Sequence, residues 1–281
     1  MKFKNLLPLL VLILVFNCSS DSDSNDDNPS DNPGDNPGNT VLIEEIIYNY
    51  VSDDDVYIQS FSYDGNKLLS ILDSEPDSDD TYEATFEYTN DRITRIDNYV
   101  DGELMEYVTL EYGTDGILSS FTVFIFDIDG ENVAIRNELN YEDGSSNFDI
   151  DSYRGDFTSQ TEFSGTTNYT VQNGNISSSA FPDTDSIESF QYDTKNSVYK
   201  NISQIETIIL VFHNTEYGFD IYGANNNITQ LDDDQGGIIY TETFEYTYNS
   251  DDYPVSAMYY DDGVLDVNVE FSYQLSISEI D

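Results

Sequence analysis

The residues able to do chemistry in this chain are few in kind. There is one cysteine (Cys18), one histidine (His213), and 56 aspartates and glutamates against nine lysines and arginines. Nucleophilic catalysis by a Ser-His-Asp or Cys-His set needs a histidine beside the nucleophile. His213 ends a short apolar run, and no Gly-x-Ser-x-Gly elbow occurs, so it reads as a helix-end or core residue. One histidine and one cysteine also fall short of an ordinary zinc site, which draws on several such ligands. No glycine-rich phosphate loop is present. A carboxylate pair of the kind that hydrolyses glycosidic bonds is not singled out, because so many acids supply any pair. The composition points away from an enzyme, with a glycan-processing enzyme using paired carboxylates in a β cleft as the alternative.

Carboxylate and carbonyl oxygens are calcium ligands, and the acids gather in runs. Asp127-Ile128-Asp129-Gly130-Glu131 superficially follows an EF-hand loop, with Glu138 at its twelfth position. Asn132 holds the sixth position, where glycine makes the sharp turn. Strand-forming residues 121–126 also precede it, so a hairpin turn is the better reading. Asp53-Asp54-Asp55, Asp77 to Asp80 and Asp232-Asp233-Asp234 read as further oxygen-rich loops. Asp127, Asp129, Asp232, Asp233 and Asp234 are therefore weak calcium candidates, and no other cofactor is expected.

Cys18 closes an apolar run, Leu6 to Phe16, that follows Lys2 and Lys4. A positive start and a short apolar core fit an export signal. The run is well below the roughly 20 residues of a membrane-spanning helix. A cysteine directly after it resembles the lipobox of bacterial lipoproteins, although Phe16 and Asn17 are not the small residues usual there. The resemblance implies a signal peptide over residues 1–17 and a lipid on Cys18, with the membrane as partner. Residues 19–40 are Ser, Asp, Asn, Pro and Gly with a final Thr40, and no large apolar side chain occurs before Val41. Such a segment cannot bury enough surface to offset the entropy of ordering it, so residues 18–40 read as a tether. Asp21, Asp23, Asp26 and Asp27, just past the cysteine, resemble the acidic export signal of Bacteroidetes surface lipoproteins. That implies an outer-membrane protein facing the cell exterior.

Formal charge is −47. Losing residues 1–17 removes two lysines and no acid, which leaves seven basic residues against 56 acidic ones and a charge of −49. Nucleic acid is excluded as a partner, since binding it requires Lys and Arg to displace counterions from phosphates. Self-repulsion of this size keeps a chain soluble and destabilises its compact state at low ionic strength.

The elements that must position any site are strands. Hydrophobic residues make up 38% and aromatics 14%, enough for a core over residues 41–281 as a single β-meander domain. Alternation with period two dominates from Val41 onward. Tyr82, Ala84, Phe86 and Tyr88 share one face, as do Phe244, Tyr246 and Tyr248, and Val267, Val269, Phe271 and Tyr273. Turn signals separate the runs, among them Asp64-Gly65, Asn90-Asp91, Asp101-Gly102, Asp115-Gly116, Asp143-Gly144 and Asp262-Gly263. So many in series predict an all-β fold, a long antiparallel up-and-down meander that is curled or barrel-like. One stretch differs. Ile202, Ile205, Ile209 and Phe212 fall at helical spacing, which predicts a short helix near 199–212 that plugs or caps the sheet.

The hairpins also repeat. Residues 61–68 (Phe-Ser-Tyr-Asp-Gly-Asn-Lys-Leu), 86–93 (Phe-Glu-Tyr-Thr-Asn-Asp-Arg-Ile) and 110–117 (Leu-Glu-Tyr-Gly-Thr-Asp-Gly-Ile) align, a period that signals stacked units. The repeated aromatic-x-Tyr unit resembles the YD-type repeats of bacterial surface proteins. Phe190-Gln191-Tyr192-Asp193-Thr194-Lys195-Asn196, Lys200-Asn201-Ile202, Asn226-Asn227-Ile228-Thr229 and Tyr246-Thr247-Tyr248 with Tyr253-Pro254 resemble a group of Bacteroidetes lipoproteins of unknown function with a porin-like, barrel-shaped meander. The likeness departs at Ser197-Val198, where a proline and an aromatic are more typical, and over residues 145–185. It implies fold and location and no activity. The expectation is a cell-surface lipoprotein acting as a non-catalytic binding or structural module, with an extracellular glycan or protein as ligand.

Overall fold

The alternating segments become sixteen strands. They are β1 (Asn39–Tyr50), β2 (Val56–Asp64), β3 (Lys67–Ser74), β4 (Thr81–Thr89), β5 (Arg92–Val100), β6 (Glu103–Tyr112), β7 (Leu118–Ile128) and β8 (Glu131–Tyr141). They continue as β9 (Phe148–Asp156), β10 (Ser159–Gln172), β11 (Asn175–Phe181), β12 (Ser186–Tyr192), β13 (Ile228–Gln235), β14 (Ile239–Tyr248), β15 (Pro254–Asp261) and β16 (Val264–Ile277). The computed structural model describes residues 39–52, 55–76, 78–128, 130–142 and 144–277. Every strand pairs antiparallel with its sequence neighbour except across the closure, where β1 pairs with β16. The result is a closed up-and-down barrel with no free edge. β1 reaches back to Asn39, into the segment read as tether. Cys18 and the segment 1–38 lie outside the described residues.

Tight turns carry the meander. Asp101-Gly102 and Asp262-Gly263 both adopt positive φ at both positions, as a type I′ hairpin requires. Asp127 belongs to β7, which pairs with β8 as a hairpin rather than a cation-binding helix pair.

The aromatic face of each strand points inward. Ala84 and Phe86 on β4, Val108 and Leu110 on β6, Phe121 and Val123 on β7, and Val267 and Val269 on β16 are all buried in one core. Their outward neighbours, such as Glu87, Glu111, Asn268 and Glu270, are polar. A patch of aromatics interrupts the polar wall, where Tyr107 stacks on Phe124 at 4.5 Å, Phe157 closes over Phe124 and Phe126, and the Arg95 guanidinium lies 4.1 Å from the Tyr107 ring centre.

Sixteen strands enclose more space than wall side chains fill, and in membrane porins that space is an aqueous channel. Here residues 193–227, between β12 and β13, fold into it. Their one helix, α1 (Ile205–Phe212), buries Ile205, Ile208, Ile209, Leu210, Val211 and Phe212. A helix surrounded by barrel wall has no wide solvent face, which is why its apolar residues are not confined to one stripe. The helix starts at Ile205 and not near 199, because Gln204 has a left-handed backbone (φ 58) that cannot continue a right-handed helix upstream.

Antiparallel order sends successive turns to opposite ends. The turns after even-numbered strands form one rim, with the plug inserted through it. The turns after odd-numbered strands form the other, whose sequences hold no Lys or Arg and carry an acid in all but two cases. Lys67, Arg92, Lys195 and Lys200 belong to the plug rim.

Candidate functional site

Four polar and aromatic assemblies occupy the barrel interior. The first is the neck of the plug. The Asp193 carboxylate accepts hydrogen bonds from the Asn227 backbone N–H (3.1 Å), the Asn227 side-chain amide (3.1 Å), the Lys195 N–H (2.9 Å) and the Tyr248 hydroxyl. Asn227 Oδ1 in turn accepts from the Val198 N–H at 3.1 Å, and the buried Ser197 hydroxyl donates to the Gly223 carbonyl. Asn201 donates to the Val41 carbonyl and to the Tyr253 hydroxyl, at 2.8 and 2.7 Å. The residues that carry the family-like motifs thus converge here, and their work is to hold the insertion in place.

The second assembly explains the sequence repeat. Tyr63, Tyr88, Tyr112, Tyr141 and Tyr192 sit at the plug-rim ends of even-numbered strands. Their hydroxyls donate to the carbonyls of Ile43, Leu68, Ile93, Leu118 and Ile176 on the preceding odd strands, at 2.7–3.0 Å. Each bond satisfies a carbonyl near a strand start and ties one hairpin to the previous one. Gln204 joins the same system, accepting from the Tyr112 hydroxyl (3.2 Å) and donating to the Asp91 carbonyl (2.9 Å).

The third assembly holds His213. Its Nε2 lies 2.9 Å from Glu188 Oε2 and 3.3 Å from Ser179 Oγ, and Ser179 donates to the same Glu188 oxygen at 2.5 Å. A serine, a histidine and a glutamate in contact invite comparison with a catalytic triad, but the geometry differs. A triad uses opposite ring nitrogens for nucleophile and acid, whereas here both partners meet Nε2. Ser179 is fully buried, and none of the three lines either of the two cavities described below. Burial alone would raise the Glu188 carboxyl, yet the His213 hydrogen bond and charge, with the Ser179 hydroxyl, hold it below its usual range. The trio anchors the C-terminal end of α1 to β11 and β12. His213 is the helix-end residue expected from its position. A similar anchor is Glu106, with no exposed surface, which accepts from Asn98 (2.7 Å) and from the Glu216 N–H (3.0 Å).

The fourth assembly is the candidate site. The plug leaves two cavities. One, of about 550 Å³, lies under the plug rim between α1 and turn residues such as Asp91, Arg92 and Gly116. The other, of about 600 Å³, lies toward the acidic rim between residues 198–222 of the plug and strands β1–β4 and β13–β16. Tyr48, Tyr50, Tyr57, Tyr82, Tyr246 and Tyr259 line it, with Asp73, Glu216, Asp220, Glu242 and Asp266. The volume falls in the range of small-molecule sites, about 300–1,000 Å³.

Strand register builds this chamber. Tyr48 opposes Tyr57 across β1 and β2, Gln59 opposes Asp73 across β2 and β3, and Asp73 opposes Tyr82 across β3 and β4. Tyr50 and Tyr57 meet edge to face at 5.5 Å. Gln59 is only 5% exposed, yet neither its Oε1 nor Asp73 Oδ1, both buried, has a hydrogen-bond partner. Burial pushes the Asp73 carboxyl up to about 6. It also raises Asp220 and, with the charges of Asp261 and Asp220, Glu242. Pattern reading could not single out these residues, because each is one acid or tyrosine among many. Their meeting depends on closure of the barrel.

Three of the calcium candidates do not converge. Asp232, Asp233 and Asp234 form part of strand β13 and not a loop, so alternation sends Asp233 to the face opposite its neighbours. Their carboxylates are bonded locally, Asp232 to Gln230 and Thr241, Asp233 to Gln235, and Asp234 to the Gly237 N–H. Asp129 and the side chain of Asp127 fall outside the described residues. Among the described residues no group of three or more His, Cys, Asp or Glu is placed to hold a metal ion.

No protein-family profile and no curated protein sequence matches the chain. Solved structures with a similar trace include a porin-like protein from Bacteroides uniformis, at 15% identity over 85% of this chain and 98% of that one, TM-score 0.39. Another is a porin-like protein from Bacteroides vulgatus, at 14% identity over 84% of this chain and 99% of that one, TM-score 0.49.

Proposed function

We propose that this protein is a non-catalytic binding barrel, displayed on the outer membrane by a lipid on Cys18, which takes a small ligand into the tyrosine-lined chamber. The observation that carries this reading is the chamber itself. Beside the plug this chamber keeps about 600 Å³ open next to buried acceptors without partners. Close-packed interiors rarely leave such space without use.

The wall argues against a pore through the membrane. Barrels that cross a bilayer present an apolar band to lipid and a polar lumen. This barrel is the reverse, with aromatic and aliphatic residues inside. Large apolar side chains exposed on the described strands number at most two to a strand. A membrane-crossing strand of about 9–11 residues would alternate four or five toward lipid. Membrane association then falls to the anchor.

Two experiments test the reading. Replacing Cys18 with Ser is expected to release the protein into soluble fractions, because a covalent lipid supplies the membrane affinity. Retention as firm as wild type would overturn the anchor. A thermal-shift screen of glycans, peptides and small metabolites is expected to give hits that weaken at least tenfold in Tyr57→Ala and Tyr82→Ala. Hits indifferent to both would place binding elsewhere. The competing reading, hydrolysis of a glycan, rests on Asp220 and Glu242 lining the same chamber with raised carboxyls. Turnover of a glycan, abolished by Glu242→Gln or Asp220→Asn, would establish it.

A further inference from the structure

We propose that the ligand of the acidic-end chamber is a small organic cation carrying N–H donors, of the primary ammonium or polyamine class. This rests on the reading of that chamber as a ligand site and goes beyond it in naming the chemistry. The lining holds five carboxylates, Asp73, Glu216, Asp220, Glu242 and Asp266, and no Lys, Arg or His. Its two unpartnered polar atoms, Gln59 Oε1 and Asp73 Oδ1, are both acceptors, brought side by side by the β2–β3 register. Unpartnered buried acceptors call for a ligand that donates.

Three classes meet the negative charge or the shape, and the details separate them. A divalent metal wants several converging oxygens, and among the described residues no such cluster forms. A neutral sugar brings acceptors as well as donors, and would set its own oxygens against five carboxylates. An ammonium group donates to Gln59 and Asp73 while its alkyl chain and charge lie against tyrosine rings, where cation–π attraction adds to the contact. Tyr48 and Tyr246 are partly buried, and desolvation together with nearby phenols and carboxylates holds their phenols well above the ordinary range. They therefore present neutral rings at working pH. The rim outside this end carries acids and no basic residue in its turns, so the field at the mouth draws cations in.

The test is calorimetric titration of the purified full chain in 0.15 M NaCl with putrescine, spermidine, tetramethylammonium and glucose. Putrescine or spermidine is expected to bind once per chain, at least fivefold tighter than tetramethylammonium, which has the charge without the N–H donors. Asp73→Asn and Gln59→Leu are each expected to weaken amine binding at least tenfold. Native mass spectrometry of the wild type counts bound amine independently of any variant's folding. Amine bound at many sites and untouched by Asp73→Asn would overturn the proposal, since the acids would then act only as a diffuse polyanion. Glucose bound in place of amine, and weakened by Tyr57→Ala, would overturn the cation class while leaving the chamber as a ligand site. No amine binding at all would also overturn it.

Discussion

The two ends of this barrel are made from the same sixteen strands and treated in opposite ways. At the plug rim, tyrosine hydroxyls reach across hairpins, asparagines and Asp193 clamp the neck of the insertion, and apolar helix α1 meets Phe86 through Phe212 (6.0 Å between ring centres). At the acidic rim the same kinds of aromatic line a chamber where Gln59 Oε1 and Asp73 Oδ1 lack partners and carboxyls are forced upward by burial. The plug rim pairs most of its polar groups with one another, the Tyr273 hydroxyl excepted, whereas the chamber leaves two buried acceptors unpaired, at a cost of about 1–3 kcal/mol for each.

The largest expected effect breaks this contrast from the plug. Phe212 is 5% exposed and also lies against Phe219, so Phe212→Ala should cost about 3–5 kcal/mol in chemical denaturation, from lost transfer energy plus a cavity. Tyr82, at the chamber mouth and 49% exposed, should cost about 1 kcal/mol or less as Tyr82→Ala. Equal costs would erase the distinction between the ends. Next in size is the hydroxyl ladder. Tyr88→Phe keeps the ring and removes the donor to the Leu68 carbonyl, for an expected loss of about 1 kcal/mol. No measurable loss would mean that water serves that carbonyl equally well.

The pH dependence sharpens the contrast from the open end. Asp73 is raised by burial to about 6, and Asp220 and Glu242 are raised as well. Between the ordinary carboxylate range and the raised one, the folded chain holds protons that the unfolded chain has lost, so stability falls as pH rises through that window. The melting temperature should therefore rise on going from pH 7 to pH 5, and rise less in Asp73→Asn. Glu188, held low beside His213, has the opposite sign, and its contribution is lost only on further acidification. Identical profiles for wild type and Asp73→Asn would remove Asp73 from the account.

The smallest and broadest effect is salt. A formal charge of −47 repels itself over about 30 Å at 0.01 M salt and about 8 Å at 0.15 M. Melting should shift upward between those concentrations, and magnesium and calcium should act alike where no specific site exists. A larger response to calcium than to magnesium would point to a loop site outside the described residues.

Much of the wall was legible before folding. The period-two runs at residues 82–88, 244–248 and 267–273 carry their own assignment, because a strand's two faces are a local property of alternation. The tyrosine repeat was legible as a pattern, while its cause, a hydroxyl reaching the carbonyl of the preceding strand, was not. The helix boundary at Ile205 was hidden because a left-handed Gln204 leaves no trace in hydropathy. Asp232-Asp233-Asp234 misled as a loop because acids are poor strand formers on average, and pairing with β12 and β14 overrode that preference.

Composition and order alone therefore determined an intensely acidic, antiparallel meander, since this depends on residue type and near-neighbour spacing. Tertiary structure decided that β1 closes on β16, that residues 193–227 enter the lumen, and that Lys67, Arg92, Lys195 and Lys200 lie at one rim while the turns of the other hold no basic residue. It also decided that Gln59, Asp73, Tyr48 and Glu242 share one chamber. These are contacts between positions far apart in the chain, and they come into being only when sixteen locally equivalent hairpin elements commit to a single closed register.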